Sequence, residues 1–190
     1  MKIHQPAELI QDANTALQIL KEGNERYLKG SLCDKGTYAA DREFLNSAQK
    51  PFAVVVTCSD SRVAPEIFFD QKLGDIFVVR NAGNVVDNTV LGSIEYAVEH
   101  LKSTLVVVCG HSKCGAVTAA CSGGHLPPNI KSVTDRIQPA VEKGGDVDAV
   151  IRRNVGVMVD TVKADEFVKH LGVTVVGAYY DIHTGVVSWL

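Results

Sequence analysis

Four short β-branched runs constrain this chain more than any other feature: Phe52–Thr57, Ile76–Arg80, Thr104–Cys109 and Val173–Ala178 are apolar at successive rather than alternate positions. Strands of that kind are buried on both faces. Helical patterns lie between them. Val90, Leu91, Ile94, Val98 and Leu101 share one helical face, and Val147, Ile151, Val155, Met158 and Val162 share another. Strands alternating with helices predict an α/β fold, a mainly parallel sheet covered on both sides. The last run, Val186–Leu190, follows the turn-like Asp181–Gly185 after a connection too short for a parallel crossover. It predicts an antiparallel edge strand beside four parallel ones.

Ahead of the first strand, Leu9, Ile10, Ala13, Ala16, Leu17, Leu20 and Tyr27 mark an amphipathic helix that needs a docking surface. Residues 28–40, with Gly30, Ser31 and Gly36, carry turn chemistry. No repeat or interdomain linker interrupts the chain. With 190 residues, 46% of them hydrophobic, the expectation is a single domain over 1–190. Nineteen Lys and Arg against 22 Asp and Glu leave a net charge of −3, so no basic field draws nucleic acid or an anionic membrane surface. The longest apolar runs, such as Phe52–Val56 and Leu105–Val108, fall short of the roughly 20 residues a bilayer requires. Glu8, Gln11, Asp12 and Asn14 break up any signal-peptide core, and a cytoplasmic protein is expected.

Five cysteines are an odd count in a chain able to bury its own core, so some of the sulfurs read better as ligands than as disulfide partners. His111 and Cys114 stand three apart in Gly-His-Ser-Lys-Cys-Gly, where a strand gives way to a helix. Imidazole and thiolate can face one ion there, and the helix N-terminus favours the thiolate. Cys58 ends another strand, and a Cys, His, Cys set with an open fourth position describes a catalytic zinc site. A His-x-x-Cys pair by itself is more often packing, and it is the third ligand at a strand end that favours metal. Cys33, Cys109 and Cys121 read as packing or loop thiols.

In Cys58-Ser-Asp60-Ser-Arg62 a carboxylate and a guanidinium leave the buried strand together and can pair beside the ion. A carboxylate so held can accept a hydrogen bond from zinc-bound hydroxide. Only three residues separate Cys58 from Arg62, where phosphatase loops have five, and no Walker-type Gly-Lys-Ser/Thr sequence occurs. Phosphoryl chemistry is thereby disfavoured.

Together Cys58-Ser-Asp-Ser-Arg62, Arg80-Asn-Ala-Gly-Asn84, Glu95-Tyr-Ala97 and Gly110-His-Ser-Lys-Cys-Gly115 resemble the β-class carbonic anhydrases. The likeness extends to Gly23–Tyr27 and to Gly177–Gly185. It implies reversible hydration of carbon dioxide to bicarbonate at one Zn2+ per subunit, held by Cys58, His111 and Cys114, with the zinc-bound hydroxide as nucleophile. In the catalytic roles, Asp60 would accept a hydrogen bond from that hydroxide and Arg62 would keep Asp60 off the metal. Gln49 would donate to bound substrate, while Phe77, Ala82 and Tyr96 would line an apolar pocket; Phe77 and Tyr96 also read as ordinary core residues. The family is dimeric, with the pocket at the interface, so residues 1–48 would form an N-terminal helical arm packed on the partner of a homodimer or dimer of dimers.

A second bicarbonate site in some members uses a Trp, Arg, Tyr set; Arg80 and Tyr180 match, but Val55 stands at the Trp position. That departure predicts an open site, with Asp60 paired to Arg62 at neutral pH. Two other functions stay open on sequence: a non-catalytic zinc or thiol-responsive module in which Asp60 closes the coordination sphere, and a hydrolase of a related linear substrate such as CS2. His125, His170 and His183 are candidate proton shuttles that read equally as surface histidines.

Overall fold

A computed structural model describes residues 12–142 and 145–190. In chain order the elements are α1 (Ala13–Leu28), α2 (Tyr38–Leu45), β1 (Ala53–Cys58), α3 (Pro65–Phe68), β2 (Ile76–Asn81), α4 (Asn88–Glu99), β3 (Leu105–His111), α5 (Gly115–Ser122), α6 (Pro128–Ile137), α7 (Val147–Ala164), α8 (Glu166–His170), β4 (Thr174–Tyr180) and β5 (Val187–Trp189). The sheet runs β2-β1-β3-β4-β5. Its first four strands are parallel and β5 pairs antiparallel with β4. The expected α/β architecture and its antiparallel edge are both present.

The doubly apolar strands account for two cores. Val54, Val56, Val106 and Val108 face α4 and α7, meeting Ile94, Val98, Ile151 and Val155. Ala53, Val55, Leu105 and Val107 face the other way, meeting Ala16 and Leu20 of α1 and Phe68 and Phe69 of the α3 segment. Each fully buried Val, Leu or Phe contributes about 1.5–3 kcal/mol of transfer free energy. Both faces must therefore be covered for the sheet to be stable. Asp87 caps α4, its carboxylate accepting from the Thr89 and Val90 N–H groups, and Asp12 caps α1 in the same way through Thr15.

The amphipathic face of α1 lies on this chain's own sheet; the start read at Leu9 and Ile10 falls outside the described residues, and the helix is described from Ala13. Gly23 permits the close fit, because a Cβ there would sit 1.8 Å from the Phe69 carbonyl oxygen. Next to it the buried Asn24 side chain donates to the Phe68 carbonyl (3.0 Å) and the Gly185 carbonyl (2.9 Å) and accepts from the Val187 N–H (3.0 Å). One amide thus ties together the first helix, the middle of the chain and the last strand.

Within the stretch read as turn, a short helix begins at Tyr38, and α6 and α8 were not marked by periodicity. α6 buries only Thr134 and Ile137, too few positions to write a helical stripe.

Candidate metal centre

Parallel neighbours β1 and β3 end at the same edge of the sheet, where open α/β folds place their ligands. Cys58 is the last residue of β1 and His111 the last of β3. After His111 the chain turns sharply, with Lys113 at φ +58°, and Cys114 becomes the N-cap of α5. The turn brings Cys114 back beside His111. As a result the ligand atoms of Cys58, His111 and Cys114 lie within 4.8 Å of one another, all three residues buried. A tetrahedral zinc with bonds of about 2.0–2.3 Å spans edges of about 3.3–3.8 Å, so a modest contraction would close this set on an ion.

The imidazole shows which nitrogen is available. His111 is fully buried; its Nδ1 lies 2.9 Å from the Ser112 carbonyl oxygen, which can only accept, so Nδ1 carries the proton. Nε2 is left with a bare lone pair, buried and without a partner among the described residues. A buried polar atom without a partner is costly. Facing two sulfurs, it has the form of a metal ligand. Ser112 is itself anchored, its N–H donating to the Tyr180 carbonyl (3.0 Å) and its Oγ accepting from the Ile182 N–H (2.9 Å).

The two sulfurs shift each other's thiol in opposite directions. A hydrogen bond from Cys114 holds the Cys58 thiol well below its usual range despite burial, with help from the Gly83 N–H. Cys114 is pushed up correspondingly by its bond to Cys58 and by burial. A thiolate beside a neutral imidazole suits a borderline-soft cation. Cys109 offers the contrast: with its sulfur wholly buried, its thiol is pushed up to about 12, the condition of an inert core residue.

At the rim, Arg62 grips Asp60 with two parallel bonds, Nε to Oδ1 at 2.9 Å and Nη2 to Oδ2 at 2.7 Å, and its N–H adds a third to Oδ1 at 3.0 Å. The guanidinium hydrogen bond holds the Asp60 carboxyl well below the usual carboxylate range. Asp60 stands outside the three-residue group, paired to Arg62. Arg80 straps the same turn from the neighbouring strand, donating to the Cys58 and Asp60 carbonyls at 3.1 and 2.7 Å.

Of the expected pocket residues, Ala82 directly precedes Gly83, whose N–H meets the Cys58 sulfur at 3.3 Å. Gln49 and Ala82 are exposed, and Phe77 is half-buried against Tyr96, their ring centroids 6.4 Å apart. Phe77 pairs in register with Val54, four residues before Cys58 and hence about 13 Å back along the strand. Tyr180 stacks on Phe68 on the opposite face of the sheet, with Val55 in the same core. Cys121 is half-buried beside the core around α4 and α7, while His125, His170 and His183 are exposed.

Sequence reasoning missed Gly83 and Asn154. Gly83 donates its N–H to the Cys58 sulfur at 3.3 Å and accepts from Asn154 Nδ2 at 3.1 Å. Both bonds run through the backbone of a loop whose side chain is a hydrogen atom, so the only signal in the sequence is the glycine itself.

The carbonic anhydrase family profile matches residues 53–187, which holds the four parallel strands, the first residue of β5 and all three clustered ligands. The chain belongs to the β-class carbonic anhydrases. A carbonic anhydrase of Mycolicibacterium smegmatis is 49% identical over 133 residues, 68% of this chain, and carbonic anhydrase 2 of Mycobacterium tuberculosis is 50% identical over a stretch of the same length. These matches span 65% and 64% of the relatives' own length. Among solved structures, a tetrameric β-carbonic anhydrase of Sordaria macrospora superposes with a TM-score of 0.73 at 25% identity, covering 93% of this chain and 97% of that one. The Coccomyxa β-carbonic anhydrase, solved with acetazolamide, gives 0.71 at 28% identity, covering 92% and 86%. Among the described residues, no helix is long and apolar enough to cross a membrane.

Proposed function

We propose that the protein hydrates carbon dioxide reversibly to bicarbonate at a single zinc ion held by Cys58 Sγ, His111 Nε2 and Cys114 Sγ. The observation that carries this reading is the buried Nε2 of His111, without a hydrogen-bond partner among the described residues and within 4.8 Å of the Cys58 and Cys114 sulfurs. Two cysteines and a histidine are a zinc donor set with one position left for solvent. Zinc bound there would supply a water made acidic and nucleophilic near neutral pH.

The chain's own residues do the rest. Arg62 occupies both carboxylate oxygens of Asp60, keeping it ionised and turned from the three ligands, so that Asp60 can only accept a proton-bearing group presented to it. In that role Asp60 orients the nucleophile and Arg62 positions Asp60. Because Asp60 is engaged by Arg62, the arrangement favours an open site over a closed zinc module.

Phe77 lies about 13 Å back along the sheet from Cys58, and Tyr96 of α4, beside its ring, is 47% exposed. We assign them, with Gln49 and Ala82, to the apolar mouth of a centre formed between two copies in a homodimer or dimer of dimers. Within that assembly we assign residues 1–48 as an arm that keeps the apolar face of α1 on its own sheet and offers the partner the exposed Leu28, Leu32 and Tyr38. The five cysteines are all free, as a reducing compartment keeps them, and we place the protein in the cytoplasm.

Stopped-flow CO2 hydration on protein of measured zinc content tests the reading. One zinc per chain with turnover at neutral pH is the expected result. Bound zinc without turnover at any pH would return the assignment to a closed module.

A further inference from the structure

One side chain touches neither the three clustered ligands nor their rim, yet its contacts lead directly to a ligand sulfur. Asn154 projects from the middle of α7 and is 1% exposed. Its Nδ2 donates to the Gly83 carbonyl at 3.1 Å, and the Gly83 N–H donates to Cys58 Sγ at 3.3 Å. The Gly83 loop has little freedom to choose another pose. Gly83 adopts φ +71°, Asn84 after it φ +45°, and Asn81 Nδ2 closes the loop on the Val85 carbonyl at 2.7 Å. A Cβ on Gly83 would come within 2.9 Å of Ile137 Cδ1 and 3.0 Å of Ala116 Cβ, so packing from α6 and α5 fills the space around it.

We propose that Asn154 is a positioning residue for the metal centre, holding the Gly83 carbonyl and with it the backbone angles at Gly83 that aim the N–H on its other side at the Cys58 sulfur. The inference rests on the reading of Cys58 as a metal ligand. A hydrogen bond to a ligating thiolate draws electron density from the sulfur and fixes the lone pair it offers the metal. Without Asn154 the buried Gly83 carbonyl loses its donor, the backbone angles at Gly83 shift to relieve it within the limits its packing sets, the N–H drifts off the sulfur, and the sulfur's lone pair is less fixed in direction. Sequence distance conceals the connection, since 71 residues separate Asn154 from Gly83.

The first test needs no variant. In protein loaded with cadmium-113, the Gly83 amide proton should show scalar coupling to the metal through the Cys58 sulfur. Asn154→Leu, close in shape but unable to donate, should then weaken or abolish that coupling. It should also lower zinc affinity by chelator competition by about tenfold or more, and move the thiolate-to-metal charge-transfer band of the cobalt form to lower energy. Ile151→Val, on the same buried face of α7, should leave coupling, affinity and band unchanged. Asn154→Ser, too short to reach the carbonyl, gives the same readouts should the leucine variant not fold. No coupling in a parent protein that binds metal and hydrates CO2 would overturn this inference alone. Variants at 154 that behave like Ile151→Val would do the same. A parent that binds no metal would overturn the inference together with the metal-site reading.

Discussion

Asp60 and Asp70 lie ten residues apart, each ion-paired to an arginine, and they serve opposite ends. Asp60 meets Arg62 two residues away, the acid side chain 17% exposed and the arginine 51%. Asp70 is fully buried and draws its partners from far upstream: Arg26 Nε at 2.6 Å, Lys35 Nζ at 2.9 Å and the Cys33 N–H at 3.0 Å. Burial would raise its pKa, but the hydrogen bonds from Arg26, Cys33 and Lys35 outweigh it and leave the carboxyl below its usual value. The first pair leaves a carboxylate within reach of a ligand; the second pins the segment after α1 to the sheet. An arginine–aspartate pair is therefore uninformative until burial and the origin of its partners are known.

Exchanging the two roles by mutation breaks or sharpens the contrast. The largest effect is expected at the rim. Asp60→Asn should lower CO2 hydration by about a hundredfold to a thousandfold, with zinc content and thermal midpoint nearly unchanged in metal analysis and calorimetry; an unchanged rate would remove Asp60 from the mechanism. Asp70→Asn should do the reverse. Stranding Arg26 and Lys35 should cost about 3 kcal/mol in urea unfolding, while the rate per folded molecule holds.

The acid limb of stability separates them further. Because the folded pKa of Asp70 is lowered, its contribution is fully present above the unfolded value of about 3.9 and is lost as pH falls through the folded value. Unfolding free energies taken from pH 6 downward should fall more steeply below about pH 4 in the parent than in Asp70→Asn. A parallel pair of curves would deny Asp70 that role. The smallest effect is expected from Arg62→Lys, which gives up the two-pronged grip: about tenfold in rate, with stability within about 0.5 kcal/mol.

The same contrast explains what the sequence disclosed. Asp60, Arg62, His111 and Cys114 act with neighbours two or three residues away, so their chemistry is written as short motifs, and Cys58 is marked by ending a strand. The four parallel strands were legible because both their faces are apolar, and α4 and α7 because each buries a full stripe. Asp70 and Asn154 could not be read that way. Their partners lie 35 to 71 residues off and include backbone groups, which leave no residue-type signal. Phe77 and Tyr96 were legible as aromatic neighbours, but the distance of Phe77 from Cys58 emerges only from strand register.

The Asn24 knot has a consequence for how the protein is made. Its three bonds reach across 44 to 163 residues, and the last of them needs Val187, three residues from the end of this chain. A ribosome synthesising the protein exposes α1 long before β5. Throughout elongation the helix has no finished seat, and its buried asparagine has nothing to hold at the far end. The apolar face of α1 stays open to chaperones, or to another nascent copy, until β5 has been made and is free to close the fold.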